Sequence, residues 1–293
     1  MRAAPAVRIM ATVPRLPQPT PEELRRDPLP LRGRTALVTG ASRRAGIGYA
    51  VARRLAAYGA GVYLHHHVPH DADMPWGADR VEEVVAGVRA ALGDPGAPVA
   101  DGPADLSDPA APAELITRAA EALGGRIDIL VANHALSGSD GTLDTIDAAM
   151  LDAHWAVDTR SVLLLVQAYA RLRSGLPSGT PGGRVVMMTS GQDLGDGMPG
   201  EVAYALQKGA LASITRSLST ALAEHAVTVN TVNPGPVDTD YLTGDAYEAV
   251  AVRFPAGRWG MPDDPARLIA WLATDEAAWI TGQVIGSEGG FRR

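Results

Sequence analysis

The chain has 293 residues, of which 46% are hydrophobic, and it carries a formal net charge of −7 with a pI near 5.5. This length suits one large α/β domain or two small ones, and the acidic balance argues against a broad basic surface for nucleic acid or an anionic membrane. The absence of cysteine excludes disulfides, thiol nucleophiles and cysteine-ligated metals, and it fits a cytoplasmic protein.

The first 30 residues differ from the rest in their proline content. Seven prolines interrupt any continuous helix or central strand there. We therefore predict an N-terminal arm over residues 1–30, extended or partly disordered, ahead of a single folded domain over residues 31–293. No apolar run approaches the roughly 20 residues of a membrane span, so we expect no membrane partner.

From residue 31 onward, short β-branched runs alternate with helical segments rich in Ala, Leu and Arg. This alternation predicts an α/β fold in one domain, a Rossmann-type doubly wound parallel sheet with helices on both faces. The predicted strands cover residues 35–40, 61–66, 97–106, 127–135, 183–190 and 226–235. The predicted helices cover residues 46–60, 78–92, 108–125 (with Asp108 as its cap), 150–173 and 202–225, and two late segments, 265–274 and 282–290, complete the series.

A glycine-rich loop, TGASRRAGIG, joins the first strand to the first helix at residues 39–48. Gly40 permits the tight turn, while Gly46 and Gly48 allow the backbone to approach a pyrophosphate at the start of the helix. An isolated glycine-rich turn is usually structural. At the head of a doubly wound series it predicts a dinucleotide site.

The only lysine of the chain, Lys208, lies four residues after Tyr204, and the other 25 of the 26 basic residues are arginine. In a helix this spacing places both side chains on one face. An adjacent cation lowers the pKa of a tyrosine, so the pair is a candidate proton donor with a group that tunes it. The alternative is a chance spacing in a chain with 7 tyrosines.

With these motifs in order, the chain resembles the short-chain dehydrogenase/reductase family from about residue 31 to residue 291. Further markers are ANHA at 132–135, Ser190 ahead of Tyr204, and NPGPVDT at 233–239. Within the family it is most similar to 3-oxoacyl-carrier-protein reductase-like members. The resemblance implies cofactor contacts from Gly40, Ser42, Arg43, Arg44, Gly46, Ile47, Gly48, His66, Asp105, Leu106, Asn133, Tyr204, Lys208, Pro234, Gly235, Val237 and Thr239.

The resemblance also implies catalytic roles. Tyr204 would exchange a proton with the substrate oxygen, Ser190 would hydrogen-bond that oxygen, and Lys208 would tune Tyr204 and bind the nicotinamide ribose. Asp158 matches the asparagine that holds a water in the family's proton relay. An aspartate cannot donate while ionised, yet because asparagine is the family's residue we expect Asp158→Asn to leave the protein active.

Cofactor choice depends on the end of the second strand, where an NAD enzyme of this fold usually carries a carboxylate. This chain has three consecutive histidines, 65–67, and two arginines, Arg43 and Arg44, in an enlarged glycine loop. We therefore expect NADP(H) to be preferred over NAD(H). Consecutive strand side chains point to opposite faces, so the histidine run does not predict a metal site.

The predicted function is NADP(H)-dependent hydride transfer between nicotinamide and a small-molecule carbonyl or alcohol, with a 3-oxoacyl or polyketide-like ketone favoured. The apolar residues after 239 are expected either to form a lid that shapes the substrate pocket or only to pack as an ordinary helical segment, and the sequence favours neither. The alternatives are a cofactor-binding regulator and a non-redox biosynthetic enzyme on the same scaffold. The resemblance further implies a homo-oligomer, a tetramer or a dimer. The predicted lid and wall residues are Tyr241, Leu242, Tyr247, Val250, Phe254 and Met198.

Overall fold

The computed structural model of the protein describes residues 25–292, and most of the predicted N-terminal arm lies outside this range. Within it, seven strands form one parallel sheet in the order β3-β2-β1-β4-β5-β6-β7. The order changes direction between β1 and β4, the position where doubly wound sheets open a binding crevice. The strands are β1 Thr35–Val38, β2 Gly61–His66, β3 Val99–Pro103, β4 Ile129–Ala132, β5 Gly183–Met188, β6 Val227–Asn233 and β7 Val284–Gly286.

The central strands are apolar throughout because both faces of the sheet are covered. Alternate residues of β1 enter opposite cores: Leu37 joins one buried cluster and Val38 the other. Helices α1, α3 and α9 pack on the Val38 side, and α4, α6 and α7 pack on the Leu37 side. The helices are α1 Ile47–Ala57, α2 Val68–Asp73, α3 Val81–Arg89, α4 Ala111–Ala122, α5 Ala148–His154, α6 Ser161–Ser174, α7 Val202–Leu222, α8 Gly244–Ala251 and α9 Asp263–Leu272.

The predicted single-domain α/β fold is confirmed, with differences in detail. The helix predicted over 150–173 is interrupted by a π-helical turn at Trp155–Arg160, which separates α5 from α6. Asp108 does not cap α4 directly; its carboxylate accepts a bond from the Ala110 amide, 2.8 Å away, one residue before the helix begins. Among the described residues, no helix is long and apolar enough to cross a membrane.

Within residues 25–292, the buried core begins at Leu31. Its side chain is 1% exposed, and its amide donates to the Tyr58 carbonyl at 2.9 Å, which ties the chain to the end of α1. Residues 25–28 are exposed. Among the described residues, the contacts that fix the start of the sheet therefore begin at Leu29, whose carbonyl accepts from the Arg32 amide at 3.1 Å, and include the buried Leu31.

We predict that a chain beginning at Leu29 folds, binds cofactor and keeps the oligomeric state of the full chain. Leu31→Ala in that shortened chain should lower the free energy of unfolding by about 2–5 kcal/mol, the usual cost of truncating a buried leucine. Denaturant unfolding and light scattering measure both effects. An insoluble or dissociated chain from Leu29 would show that the preceding residues pack on the domain or on another subunit.

Candidate active site

The loops that follow the carboxyl ends of the strands enclose a cleft of about 1080 Å³. This volume lies just above the range of about 300–1,000 Å³ common for small-molecule sites. The cleft brings together most of the residues predicted from sequence. Those that line it are Gly40, Ser42, Arg43, Gly46, Ile47, Asp105, Leu106, Asn133, Ser190, Tyr204, Pro234, Gly235, Val237 and Thr239.

The glycine loop has the close backbone approach that a dinucleotide site needs. A Cβ on Gly48 would lie 2.3 Å from the Gly40 carbonyl oxygen, and Gly40 itself has φ +66°, which only glycine adopts without strain. Gly46 precedes α1 and has no side chain to cap its first amides. The start of α1 therefore suits an anionic group such as a pyrophosphate.

Two buried histidines hold this loop, and sequence reasoning did not identify their role. The His65 Nδ1 atom accepts from the Gly40 amide at 3.2 Å, and its Nε2 lies 3.0 Å from the Ala104 carbonyl. His134 lies 2.7 Å from the Thr39 hydroxyl. Burial lowers the pKa of His65 to about 4 and that of His134 well below its usual value, so both rings are neutral.

The structure places His66 outside the cleft, against Asp101 on β3 at 3.2 Å, whereas His65 and His67 line the cleft. Adjacent side chains of a strand point to opposite faces, so only alternate members of the histidine run can face the site. The His66 side chain, predicted to contact the cofactor, therefore lies outside the cleft, and its two neighbours face the cleft instead.

The two arginines of the loop have different surroundings. The Arg43 side chain lies in the cleft, donates to the Thr239 carbonyl at 3.0 Å, and stacks 5.1 Å from the Trp76 ring centre. Arg44 instead is exposed and pairs with Asp79 at 3.2 Å and Glu83 at 3.1 Å, away from the main cleft. Arg43 is therefore the better placed of the two for a ligand in the cleft.

Tyr204 and Lys208 lie on α7, and Ser190 follows β5. Lys208 is 2% exposed; its Nζ donates to the Met188 carbonyl at 3.3 Å and lies 5.3 Å from the centre of the Tyr204 ring. Tyr204 and Ser190 both face the cleft. The helical spacing therefore places the lysine behind the tyrosine, as the sequence predicts.

The electrostatics of this pair differ from the sequence prediction. Burial raises the pKa of Tyr204 well above its usual value, and the charges of Asp158 and Glu201 add to the rise, with a hydrogen bond from Ser190 opposing it. Burial also lowers the pKa of Lys208, against the effect of Asp158. The expected lowering of the Tyr204 pKa is wrong for the protein alone, and the phenol is protonated at neutral pH.

A family model described as Enoyl-(Acyl carrier protein) reductase matches residues 40–292. An uncharacterized oxidoreductase of Bacillus subtilis, YjdA, is 44% identical over 261 residues, covering 88% of this chain and 96% of that protein. A short chain dehydrogenase of Burkholderia cenocepacia, solved in complex with NADP, is 36% identical with a TM-score of 0.75, covering 89% of this chain and 98% of that one. The chain belongs to the short-chain dehydrogenase/reductase family.

As a family member, the protein is an NAD(P)-dependent oxidoreductase that acts on small molecules. A further neighbour is the promiscuous reductase LugOII, which catalyses keto-reduction at C1 during lugdunomycin biosynthesis. It is 34% identical with a TM-score of 0.73 and covers 89% of this chain and 98% of that one. The family assignment made from the ordered motifs is thus confirmed.

Asp158, in place of the family's asparagine, is fully buried in the π-helical turn. Its Oδ1 accepts from the Leu136 amide at 2.7 Å, and its Oδ2 lies 2.7 Å from His154 Nδ1. Sequence analysis did not identify His154. The signal available was its position four residues before Asp158, a spacing that brings two helical side chains together.

Only some of the predicted lid and wall residues line the cleft. Met198 and Tyr241 line the cleft. Tyr247 and Phe254 pack on Trp259 instead, with ring centres 4.8 Å and 5.9 Å from it. None of the α8 residues is buried. The helix therefore lies beside the cleft mouth, on a small aromatic cluster.

Proposed function

We propose that the protein catalyses NADP(H)-dependent interconversion of a neutral ketone and its alcohol. The observation that carries this proposal is the placement of the Tyr204 and Ser190 side chains on one cleft, with Lys208 buried behind the tyrosine. The Tyr204 phenol is protonated at neutral pH and faces the cleft beside Ser190, so it can donate a proton to a carbonyl oxygen there.

The residues present fit a nicotinamide dinucleotide. The open amides at the start of α1, with Gly40, Ser42 and Ile47, suit the pyrophosphate, and Asp105 with Leu106 suits the adenine end. Asn133, Pro234, Gly235, Val237 and Thr239 are assigned to the nicotinamide end, with Lys208 on its ribose. The bound cofactor would supply the hydride that reaches the carbonyl carbon.

The protein's own groups would handle the proton. Tyr204 would donate from its hydroxyl to the carbonyl oxygen, and Ser190 would hold that oxygen in position by a hydrogen bond. Lys208, a buried cation, would stabilise the tyrosinate left behind. The spacing of four residues between Tyr204 and Lys208 favours carbonyl reduction over enoyl reduction, because the enoyl reductases of this family space the two residues farther apart.

The substrate end of the cleft supports a neutral ketone. Met198 and Tyr241 provide apolar walls, while Asp140 and Glu201 are acidic. Among the described residues that line the cleft, Arg43 is the sole arginine or lysine, and it lies in the glycine loop. An anionic substrate would meet carboxylates here. We therefore favour an uncharged 3-oxoacyl or polyketide-like ketone, and the keto-reduction attributed to LugOII supports this class.

We predict that Tyr204→Phe and Lys208→Arg fold but lose most of their turnover of any accepted ketone. A general acid typically contributes roughly 10²–10⁴-fold, and Tyr204→Phe removes the donor while keeping the ring. Arginine retains a charge but offers a planar fork that fits a ribose differently. The readout is NADPH absorbance, with circular dichroism as the check on folding.

Tyr58 lies outside the cleft, so Tyr58→Phe is the matched control and should keep full turnover. Near-normal turnover by Lys208→Arg would show that the single lysine is an accident of composition. Binding of NADPH without turnover of any carbonyl class by the unmodified protein would instead favour a cofactor-binding regulator.

A second prediction concerns the preference for NADPH. We expect Arg43→Ala to weaken NADPH binding by about 10- to 100-fold, the loss of one charge-assisted contact of 1.5–3 kcal/mol, and to change NADH binding little. Arg44→Ala is the matched control and should have a small effect, because the Arg44 side chain lies outside the cleft, where it pairs with two carboxylates. Calorimetry that gives tighter binding of NADH than of NADPH to the unmodified protein would contradict the proposal.

A further inference from the structure

The ring of His154, the last residue of α5, lies against two carboxylates and a backbone carbonyl, all of which accept hydrogen bonds when the carboxylates are ionised. Its Nδ1 lies 2.7 Å from Asp158 Oδ2, and its Nε2 lies 3.1 Å from the Gly138 carbonyl and 3.9 Å from Asp140 Oδ2. A neutral imidazole has one N–H and would leave a lone pair facing an oxygen. With Asp158 ionised, both contacts are satisfied together only when the ring carries two protons.

Asp158 needs this cation. The side chains of His154 and Asp158 are 1% and 0% exposed, so the carboxylate has almost no access to water. A buried charge without a partner is strongly unfavourable. The charge of Asp158 also acts on Tyr204 and Lys208. A protonated His154 cancels the extra negative charge that aspartate brings to a position where the family has a neutral asparagine.

The pair also fixes the segment 136–140, which lines the cleft between β4 and α5. Asp158 holds the Leu136 amide, and His154 holds the Gly138 carbonyl. Asp140 then accepts from the amides of Ala203 and Tyr204, both at 2.8 Å, at the start of α7.

We propose that His154 is a positioning residue that carries a fixed proton, balances Asp158, and holds the segment 136–140 against the first turn of the helix that bears Tyr204. The inference rests on the proposed function for its kinetic consequences. The charge state of the pair does not depend on it.

The titratable groups around His154 determine the pH range over which its ring stays protonated. Asp158 adjoins it on the π-helical turn, Asp140 lies in the segment 136–140, and Glu201 and Tyr204 lie at the start of α7, with ring centres of His154 and Tyr204 6.3 Å apart. Lys208 and His70 interact electrostatically with Asp158, the partner of His154 in the pair.

Burial alone would lower the pKa of His154, but the hydrogen bond and charge of Asp158 and the Gly138 carbonyl raise it above 6.5. The stabilisation from the pair is therefore fully present below about pH 6.5, the unfolded value. It is lost as the pH rises through the raised pKa of the folded protein.

The two partners should respond unequally to substitution. In Asp158→Asn, His154 can release its proton, accept from the new amide at Nδ1 and still donate to Gly138. In His154→Gln, Asp158 keeps its charge but loses the imidazolium hydrogen-bonded to it, and Lys208 remains as the other nearby cation. We expect kcat to fall by about fivefold in Asp158→Asn, as for one weakened hydrogen bond, and by about 10²-fold in His154→Gln, as for a misplaced catalytic group.

The double variant His154→Gln with Asp158→Asn removes both charges and should recover much of the kcat lost in His154→Gln. The Kd for NADPH should stay near its original value throughout, because the glycine loop is held by other residues. His225→Gln and Asp152→Asn change exposed residues of the same types and serve as controls with unchanged kcat.

The decisive readout is the protonation state of His154, from side-chain nitrogen NMR of the full chain at neutral pH, assigned by the signal lost in His154→Gln. We expect an imidazolium in the unmodified protein and a neutral ring in Asp158→Asn. A neutral His154 in the unmodified protein would overturn the proposal even if a variant fails to fold. Full kcat in folded His154→Gln, or no recovery in the double variant, would do the same. Turnover that survives Tyr204→Phe would refute the proposed function and leave the charge pair standing.

Discussion

The parallel direction of the strands is the constraint on which the site depends. When every strand points the same way, the loops after their carboxyl ends meet at one edge of the sheet. The loops after β1, β4, β5 and β6 carry Gly40, Asn133, Ser190 and Pro234 to a common cleft, although these residues lie far apart in the chain. The apolar runs that bury both faces of the sheet are therefore also what assembles the site.

Charge balance is the second condition that the cleft must satisfy. Lys208, Asp158 and His154 are all buried close to Tyr204, and the carboxylate of Asp158 favours the charged form of both cations. In contrast, His65 and His134 lie beside the glycine loop without a carboxylate partner, and burial keeps them neutral. The same side chain thus serves as a cation at one end of the cleft and as a neutral hydrogen-bonding group at the other. The presence or absence of a carboxylate makes the difference.

Features encoded by local pattern could be predicted from the sequence. The alternation of apolar strands and helices indicated the fold, the glycine loop indicated the dinucleotide cleft, and the four-residue spacing placed Lys208 behind Tyr204. Features that depend on contacts distant in sequence could not. Strand register decides which face of the sheet the His66 side chain occupies. Arg44 pairs with Glu83 of α3, a helix distant in sequence from the glycine loop. The pKa of Tyr204 depends on how the folded chain buries it. Asp158, in the π-helical turn, accepts a hydrogen bond from the Leu136 amide. Helical periodicity does not predict this contact, because Leu136 lies outside the helix.

The most direct test of the central claim is a crystal structure of the protein with oxidised cofactor and a ketone that it reduces. If Tyr204 delivers the proton and Ser190 holds the substrate, the ketone oxygen will lie within about 2.6–3.2 Å of both side-chain hydroxyls. A ketone bound in the cleft with its oxygen held by other groups, away from Tyr204 and Ser190, would contradict the account.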